Sequence, residues 1–205
     1  MKYTKVKRII DFTSSTLLVI IISPALLVLA GFTRASIGRP IFFKQTRSGI
    51  NQQPFIIVKF RTMTNETDEK GNLLPDEMRI TTFGKFMRST SLDELPELFS
   101  IIKGDMSVIG PRPLPVEYNE YFRKEELDRF KVKGGLIPPD SLYGGMDLSW
   151  DNQLKCESEY ANNISFSNDL KIFLGVFRTL LNREKANYGE ICRAALSDER
   201  KHLEE

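Results

Sequence analysis

Two adjacent carboxylates, Asp93 and Glu94, are the side chains of this sequence best suited to chemistry. They stand near the start of the run SLDELPELFSIIKGDMSVIGPRP, residues 91–113, which also carries basic residues. A carboxylate can act as a nucleophile or help to bind a divalent cation. An aspartate in front of a helix is most often only an N-cap, so the pair needs support from its surroundings.

Pro96 predicts where these carboxylates lie. Proline is tolerated in the first turn of a helix, because its missing N–H would be unpaired there in any case. We therefore predict a helix that starts near Asp93 and ends at Gly104, with the apolar residues 98–102 in the core. The positive end of the helix dipole would keep Asp93 ionised and attract phosphate oxygens.

Two basic residues could bind a phosphate beside this pair. Arg112 lies between two prolines in IGPRP, where a fixed backbone could hold a planar cation against a phosphate, although a surface arginine is the alternative. Lys59 stands near the end of the run FIIVKF, residues 55–60, which predicts a strand. It belongs to the segment 12–65, which contains six basic residues and no Asp or Glu. Such a segment suits anionic headgroups or a phosphorylated substrate, or it forms a solvated basic face.

Other kinds of chemistry find little support. The single histidine, His202, lies in the charged tail SDERKHLEE, which argues against a Ser–His or Cys–His pair. Cys156 and Cys192 have neither metal-ligand spacing nor the density of a disulfide scaffold, so we expect reduced thiols in a cytoplasmic compartment. Glycine-rich nucleotide loops of the two common kinds do not occur. Any nucleophile or base must be a carboxylate, a hydroxyl or a lysine.

The elements that position these residues begin with an apolar run of 22 residues, 12–33, which is long enough to cross a bilayer as one helix. Ser23 and Pro24 stand at its midpoint and predict a break or kink, since proline removes a backbone donor there. Basic residues flank the run on both sides, so charge does not choose an orientation. These features favour a kinked spanning helix over a re-entrant hairpin. A cleaved signal peptide is a third alternative.

The rest of the chain predicts one domain of ordinary size. Residues 83–88 predict a short helix or strand, residues 65–75 a loop, and residues 168–181 a helix with a core-facing apolar side, or else one that lies on a membrane. The predicted fold class is therefore α+β. We divide the chain into a membrane segment at 1–35, a catalytic domain at 36–185 and a charged tail at 186–205.

Taken together, these motifs resemble the small monotopic phosphoglycosyl transferases of bacteria, the polyprenyl-phosphate sugar-1-phosphate transferase family. The resemblance runs from KRIIDF through Ser23-Pro24 and KFRTM, residues 59–63, to the whole block at 91–113. It continues more weakly at Ser149-Trp150 and across residues 160–170. A block of this length, in the right order after a broken apolar segment, is highly specific.

The resemblance implies both an architecture and a reaction. The apolar segment would be a re-entrant helix–break–helix hairpin with its break at Ser23 and Pro24, attached to a small, mostly helical domain with a short sheet. Both termini would face the cytoplasm at the bacterial inner membrane. The reaction would move a sugar 1-phosphate from a UDP-sugar to undecaprenyl phosphate, with release of UMP, as the first step of glycan, capsule or O-antigen assembly.

The resemblance also assigns residues. Asp93 would be the covalent nucleophile, Glu94 its partner, and the two would bind Mg²⁺. Charge on the diphosphate would be neutralised by that ion and by three cations, Lys59, Arg88 and Arg112. The partners are then a UDP-sugar, undecaprenyl phosphate and membrane lipid, and no nucleic acid is expected.

The sequence departs from the family pattern at residues 133–146. Members typically have RPGITGLAQVNGRN there, whereas this chain has KGGLIPPDSLYGGM, with Gly145 in place of an arginine associated with the sugar nucleotide. Glu157 stands where an aspartate is usual and is a candidate site acid. These departures leave the sugar open. They also motivate a rival hypothesis, a membrane-anchored scaffold that keeps the fold without catalysis.

Overall fold

The computed structural model describes residues 2–143, 149–181 and 194–200. Gly145, Met146, Cys192 and His202 lie outside these ranges, as does most of the predicted tail. The described residues form an α+β fold, as predicted, with two small two-stranded sheets among short helices. The helices are α1 (Lys2–Ser36), α2 (Asp76–Arg79), α3 (Thr82–Ser89), α4 (Glu97–Lys103), α5 (Trp150–Asn162), α6 (Phe166–Leu181) and α7 (Leu196–Arg200). The strands are β1 (Phe42–Ser48), β2 (Pro54–Phe60), β3 (Ser107–Ile109) and β4 (Gly135–Ile137).

Helix α1 runs through Pro24 without the predicted break. Proline at this position leaves the carbonyl group of Ile20 without its usual N–H donor. The Ser23 hydroxyl donates to that carbonyl oxygen at 2.9 Å, which satisfies it inside the helix. The Ser23-Pro24 pair is therefore compatible with one continuous helix, and the structure does not confirm the hairpin. By length and composition α1 is the one helix in the described ranges that could cross a membrane.

One side of α1 packs along the domain from end to end. Near its start, the Arg8 guanidinium donates to the carbonyl oxygens of Ile101 and Ile102 at the end of α4, at 2.5 and 2.7 Å. In the middle, Val19 and Ile22 pack against the core. Near its end, the rings of Phe32 and Phe83 lie 5.9 Å apart. The other side of α1 exposes large apolar side chains, among them Ile9, Ile20, Ile21 and Leu27.

The two sheets position the residues singled out by the sequence. Strands β1 and β2 pair antiparallel, with Lys59 opposite Phe43, and β2 confirms the strand predicted at 55–60. Strand β3 pairs parallel to β4 and leads directly into the IGPRP turn. At the end of this pair the backbones of Gly110 and Gly135 nearly touch, because a Cβ built on Gly135 would lie 2.1 Å from the Gly110 nitrogen. Only glycine permits this approach, which brings the start of the atypical segment, residues 133–138, beside Arg112.

The core confirms one helix prediction and corrects another. Leu98 and Ile101 on α4 are buried with Ile57 and Met106, as expected. Helix α6 has the predicted span but not the predicted packing. Ile172 is its buried apolar residue among those whose side chains are described, whereas Phe166, Leu170, Phe173 and Leu174 are exposed. The helical period was therefore correct, but the periodic face that it marked does not point to the core.

Candidate active site

A cleft at the junction of the two sheets gathers charged side chains from distant parts of the sequence. Strand β1 contributes Arg47, β2 contributes Lys59, and the turn after β3 contributes Arg112. Glu94 and Glu97 complete the charged wall. Gly135, Leu136 and Pro138, which belong to the segment where this chain departs from its family pattern, also line the cleft. Two predicted cations and one predicted carboxylate therefore meet in one cleft.

The carboxylate pair lies on a 3₁₀ turn, Leu92–Glu94, rather than in the first turn of an α-helix. Helix α4 begins only at Glu97, with Pro96 at its N-cap. Ser91, in front of the turn, has a left-handed conformation with φ 56°, which is uncommon for a residue other than glycine. The prediction that the helix begins near Asp93 was thus wrong by about one turn, although Gly104 does end it, with φ 102°.

Lys59 bridges two carboxylates in the cleft. Its ammonium nitrogen lies 2.6 Å from Oε1 of Glu94 and 3.3 Å from Oε1 of Glu97. The side chain of Glu97 is almost fully buried, while those of Lys59 and Glu94 remain about one-fifth exposed. Since Glu97 follows Glu94 by three residues, the two side chains share a face of the helical segment. Glu97 was not predicted as a site residue, but this spacing was the signal that could have found it.

The three acids of this region have different pKa directions. Burial would by itself raise the pKa of Glu94, but Lys59 and Arg112 together bring it below its ordinary value. Burial raises the pKa of Glu97 above its ordinary value, and the attraction of Lys59 does not offset it. Burial and the neighbouring Glu94 also raise the pKa of Asp93. Lys59, a backbone hydrogen bond and Arg88 act in the opposite direction, towards the ionised form of Asp93.

We expect opposite effects on stability from neutralising the two glutamates. A raised folded-state pKa means that Glu97 contributes stability below its unfolded pKa, about 4.3, and loses it as pH rises through the folded value. The Tm of Glu97→Gln should therefore rise relative to the parent protein as pH increases from 4 to 8. Thermal unfolding across this pH range measures the difference.

Glu94→Gln is the matched control with the opposite sign. Its lowered folded-state pKa makes Glu94 stabilising above its unfolded pKa, and that contribution is lost as pH falls through the folded value. The Tm of Glu94→Gln should thus fall relative to the parent protein as pH increases. Equal pH trends for both variants would contradict the assigned charge balance.

Two guanidinium groups, those of Arg47 and Arg112, line the cleft. The Nε of Arg47 is buried and has no hydrogen-bond partner among the described residues. Arg47 donates from its other nitrogens to the Pro113 carbonyl oxygen and to Gln45. Burial and, next, the charge of Arg112 lower the pKa of Arg47. A bound anion would relieve this repulsion, so the geometry suits a phosphate.

Arg88 lies beside the carboxylates but does not line the cleft. On α3 its Nε donates to the Thr62 hydroxyl at 3.0 Å, and its side chain contacts the sulfur of Met63. Its charge is close enough to lower the pKa of Asp93, against the larger effect of burial. Asp93 itself adjoins the cleft through Glu94 rather than lining it.

Glu157 is fully buried behind the cleft rather than in it. Its Oε1 accepts from the backbone N–H of Arg112 at 3.0 Å, and its Oε2 lies 2.6 Å from the guanidinium of Arg129. The same guanidinium donates to the carbonyl oxygen of Arg112 at 2.6 Å. Both backbone polar groups of Arg112 are thereby fixed. The structure thus places the candidate site acid where it positions Arg112 and does not touch the cleft.

Arg47 and Arg129 are further residues that the sequence interpretation missed as part of this site. Arg47 belonged to a basic segment with no feature that separated it from the five other cations. Arg129 lies in a charged 3₁₀ helix, Lys124–Lys131, where the pattern is typical of solvated surface, yet its side chain is 1% exposed. Neither residue stands next to a recognisable motif partner, so only the fold reveals their positions.

The carboxylate pair fits Mg²⁺ when that ion also binds substrate. Among the described residues, no group of three or more His, Cys, Asp and Glu side chains could form a metal site of protein ligands alone. Mg²⁺ commonly takes one or two carboxylates, several waters and substrate phosphates. Asp93 and Glu94 supply hard oxygen ligands beside a cleft suited to phosphate, which matches that pattern.

Comparison with known proteins agrees with this geometry. The sequence profile of the bacterial sugar transferase family matches residues 2–183. A sugar transferase of Bacillus subtilis, EpsL, is 41% identical over 178 residues, covering 87% of this chain and 88% of its own length. The UDP-glucose:undecaprenyl-phosphate glucose-1-phosphate transferase of Klebsiella pneumoniae is 38% identical over 86% of this chain, and the undecaprenyl-phosphate galactose phosphotransferase of Salmonella typhimurium is 30% identical over 88%.

The shares of the relatives' own lengths differ. This chain spans 40% of the Klebsiella enzyme and 41% of the Salmonella enzyme, so these two are longer proteins that contain the matching region. The match to EpsL, by contrast, covers most of both chains. Family profile, relatives and the cleft beneath the DELPEL motif lead to one conclusion: this chain belongs to the bacterial sugar transferase family.

Proposed function

We propose that this protein transfers a sugar 1-phosphate from a UDP-sugar to undecaprenyl phosphate and releases UMP. The observation that carries the proposal is the cleft in which Lys59, Arg47 and Arg112 face Glu94, next to Asp93. Excess positive charge beside an aspartate suits a diphosphate and a carboxylate nucleophile. The names of the longer relatives, which transfer glucose 1-phosphate or galactose phosphate to undecaprenyl phosphate, support the same reaction.

In the first step, the sugar-bearing phosphorus of the UDP-sugar is attacked by Asp93. A bond forms between a carboxylate oxygen and phosphorus, and the bond to the bridging oxygen breaks, so that oxygen leaves with UMP. Arg112 and Arg47 bind the phosphate oxygens, and Lys59 offsets the repulsion between carboxylate and diphosphate. Mg²⁺ held by Asp93 and Glu94 would neutralise diphosphate charge when bound. The burial that raises the pKa of Asp93 also removes water from the nucleophile.

In the second step, an oxygen of undecaprenyl phosphate attacks the same phosphorus. The bond to Asp93 breaks, the carboxylate is restored and the lipid-linked sugar diphosphate forms. Splitting the transfer lets UMP leave before the lipid phosphate enters, so one cleft serves both substrates. Glu94, whose pKa lies below its ordinary value, stays ionised throughout and keeps Lys59 in place.

We further propose that both ends of α1 lie on the cytoplasmic side of the bacterial inner membrane. Arg8 and Phe32 contact one folded domain, although about 36 Å of helix separates them. A straight crossing would put about 30 Å of hydrocarbon between these contacts. The apolar outer side of α1 and the exposed apolar residues of α6 then face lipid. Tyr3 and Phe166, with ring centroids 6.4 Å apart, join the two helices into one surface.

Cysteine labelling should confirm this arrangement. Lys5→Cys and Ser36→Cys place an exposed thiol at each end of α1, in a background with Cys156 and Cys192 changed to serine. Neither thiol should react with a membrane-impermeant maleimide in spheroplasts, and both should react in inverted vesicles. Labelling of position 5 alone from outside would show a spanning helix and contradict the proposal.

The reaction itself is tested with purified protein, undecaprenyl phosphate, Mg²⁺ and a panel of UDP-sugars. We expect UMP release with at least one sugar nucleotide, dependent on the lipid phosphate. The segment 133–146 is the proposed source of sugar selectivity, since Gly135, Leu136 and Pro138 line the cleft together with the charged side chains. Absence of UMP release across the panel would favour the rival scaffold hypothesis.

A further inference from the structure

Helix α7 is mostly polar, but it buries one residue at each end, Leu196 and Arg200. Leu196 is fully buried and packs in a cluster with Leu114, Trp150 and Leu154. The indole N–H of Trp150 donates to the carbonyl oxygen of Ala194 at 3.0 Å. These contacts attach the start of α7 to the domain.

Arg200 fastens the other end of this helix. It is 3% exposed, and its two terminal nitrogens contact the two carboxylate oxygens of Glu126 at 2.6 and 2.8 Å. It also donates to Asp151 at 2.6 Å and to the carbonyl oxygen of Tyr121 at 2.7 Å. The buried guanidinium of Arg200 therefore donates four hydrogen bonds. Because a buried charge is stable only when it is paired, these bonds indicate a specific structural contact.

The apolar end of α7 packs behind the residues that follow Arg112 in the cleft. Leu114, which packs against Leu196, stands two residues after Arg112. Its carbonyl oxygen accepts from the Ser48 N–H at 3.0 Å, and the next residue pairs with Arg47 in an isolated bridge. Residues 112–115 therefore lie between β1 on one side and α7 on the other.

The charged end of α7 reaches Arg112 by a second route. Glu126, the partner of Arg200, lies on the 3₁₀ helix that also carries Arg129. Arg129 in turn donates to the Arg112 carbonyl oxygen and pairs with Glu157, which accepts from the Arg112 N–H. Both ends of α7 are thus connected to the residue that presents its guanidinium to the cleft.

We propose that residues 194–200 form a C-terminal clasp, in which Leu196 and Arg200 are positioning residues for Arg112 and Arg47. The clasp lies beyond residue 183, where the match to the family profile ends. This proposal rests on the proposed function, because it takes the ligand of the cleft to be a phosphate. Without the clasp, residues 112–115 would be ordered in only a fraction of the molecules. A phosphate would bind only those molecules, so its apparent affinity would be lower.

The experiment compares five proteins: the parent, a truncation after residue 190, Leu196→Ala, Arg200→Lys and the control Glu199→Ala. Glu199 is exposed on the same helix. Arg200→Lys keeps the positive charge but loses the guanidinium group that contacts both Glu126 and Asp151. This milder variant tests the proposal if the other variants do not fold. Hydrogen exchange measured residue by residue by NMR follows the Arg112 amide, whose neighbours Pro111 and Pro113 have no amide hydrogen.

We expect exchange at the Arg112 amide about 10-fold faster in the truncation and in Leu196→Ala, and unchanged in Glu199→Ala. The KM for the UDP-sugar should rise about 10-fold with kcat within about twofold of the parent, because bound phosphate selects the ordered wall. A lower Tm with unchanged exchange and unchanged KM would overturn the proposal and leave α7 as a purely structural element. If the parent releases no UMP, the proposed function fails, and the exchange rates alone still decide whether the clasp exists.

Discussion

Asp93→Asn should lower kcat by about 10³-fold or more, with the fold and membrane association retained. The amide has nearly the shape of the carboxylate but cannot form a bond to phosphorus through a charged oxygen, so the covalent step is lost. Since burial and Glu94 raise the pKa of Asp93, removing its charge should not destabilise the folded protein. UMP release measures turnover, and thermal unfolding measures the fold.

Mass spectrometry locates the intermediate directly. Protein that is incubated with UDP-sugar and Mg²⁺ and then quenched should carry a sugar phosphate on the peptide that contains Asp93. The adduct should be absent from Asp93→Asn. Asp105→Asn is the matched control, because Asp105 belongs to the same motif but pairs with Lys103 outside the cleft. An active Asp93→Asn variant, or an adduct on another residue, would instead favour direct attack by the lipid phosphate.

Arg129→Met should lower the Tm by roughly 6–20 °C and impair turnover, although Arg129 does not line the cleft. The side chains of Arg129 and Glu157 are 1% and 0% exposed, so the substitution leaves a buried carboxylate without its partner. Removing one member of such a pair costs about 3–5 kcal/mol. The substitution also removes the donor to the Arg112 carbonyl oxygen, which should make the turn that carries Arg112 more mobile.

A double variant separates charge from packing. Arg129→Met with Glu157→Gln removes both charges and keeps an acceptor for the Arg112 N–H, so it should be more stable than Arg129→Met alone. Lys131→Met is the control on the same 3₁₀ helix, where an exposed pair with Asp128 is worth about 0–1 kcal/mol. If Arg129→Met unfolds at the same temperature as Lys131→Met, the buried pair does not support the turn.

Local features of the sequence predicted the local structure well. The β-branched run at 55–60 forms β2, the run around residue 85 forms α3, and Gly104 ends α4. In each case the feature that determines the structure lies within a few residues of it. For β2 and α3 this feature is the spacing of apolar side chains, and for the end of α4 it is the conformation of a glycine. The same reasoning located the acidic motif and the proline-bounded Arg112.

The errors arose where packing decides the outcome. The hairpin expected at Ser23 and Pro24 is not confirmed, since α1 is continuous there and the Ser23 hydroxyl donates to the Ile20 carbonyl oxygen. Asp93 lies on a half-buried 3₁₀ turn in front of α4 rather than in its first turn, and burial raises its pKa. Leu170 and Leu174 follow a helical period but face outward, because periodicity identifies an apolar face without saying what covers it.

By itself the sequence determined the apolar first helix, the α+β class and the motif that carries Asp93, Glu94 and Arg112. Only the tertiary structure decided that Lys59 bridges Glu94 and Glu97, that Arg47 joins Arg112, and that Glu157 accepts from the backbone N–H of Arg112. The physical reason is distance along the chain. The bond from the Arg112 N–H to Glu157 spans 45 residues and that from Lys59 to Glu94 spans 35, and such partners meet only after the strands and helices between them have packed.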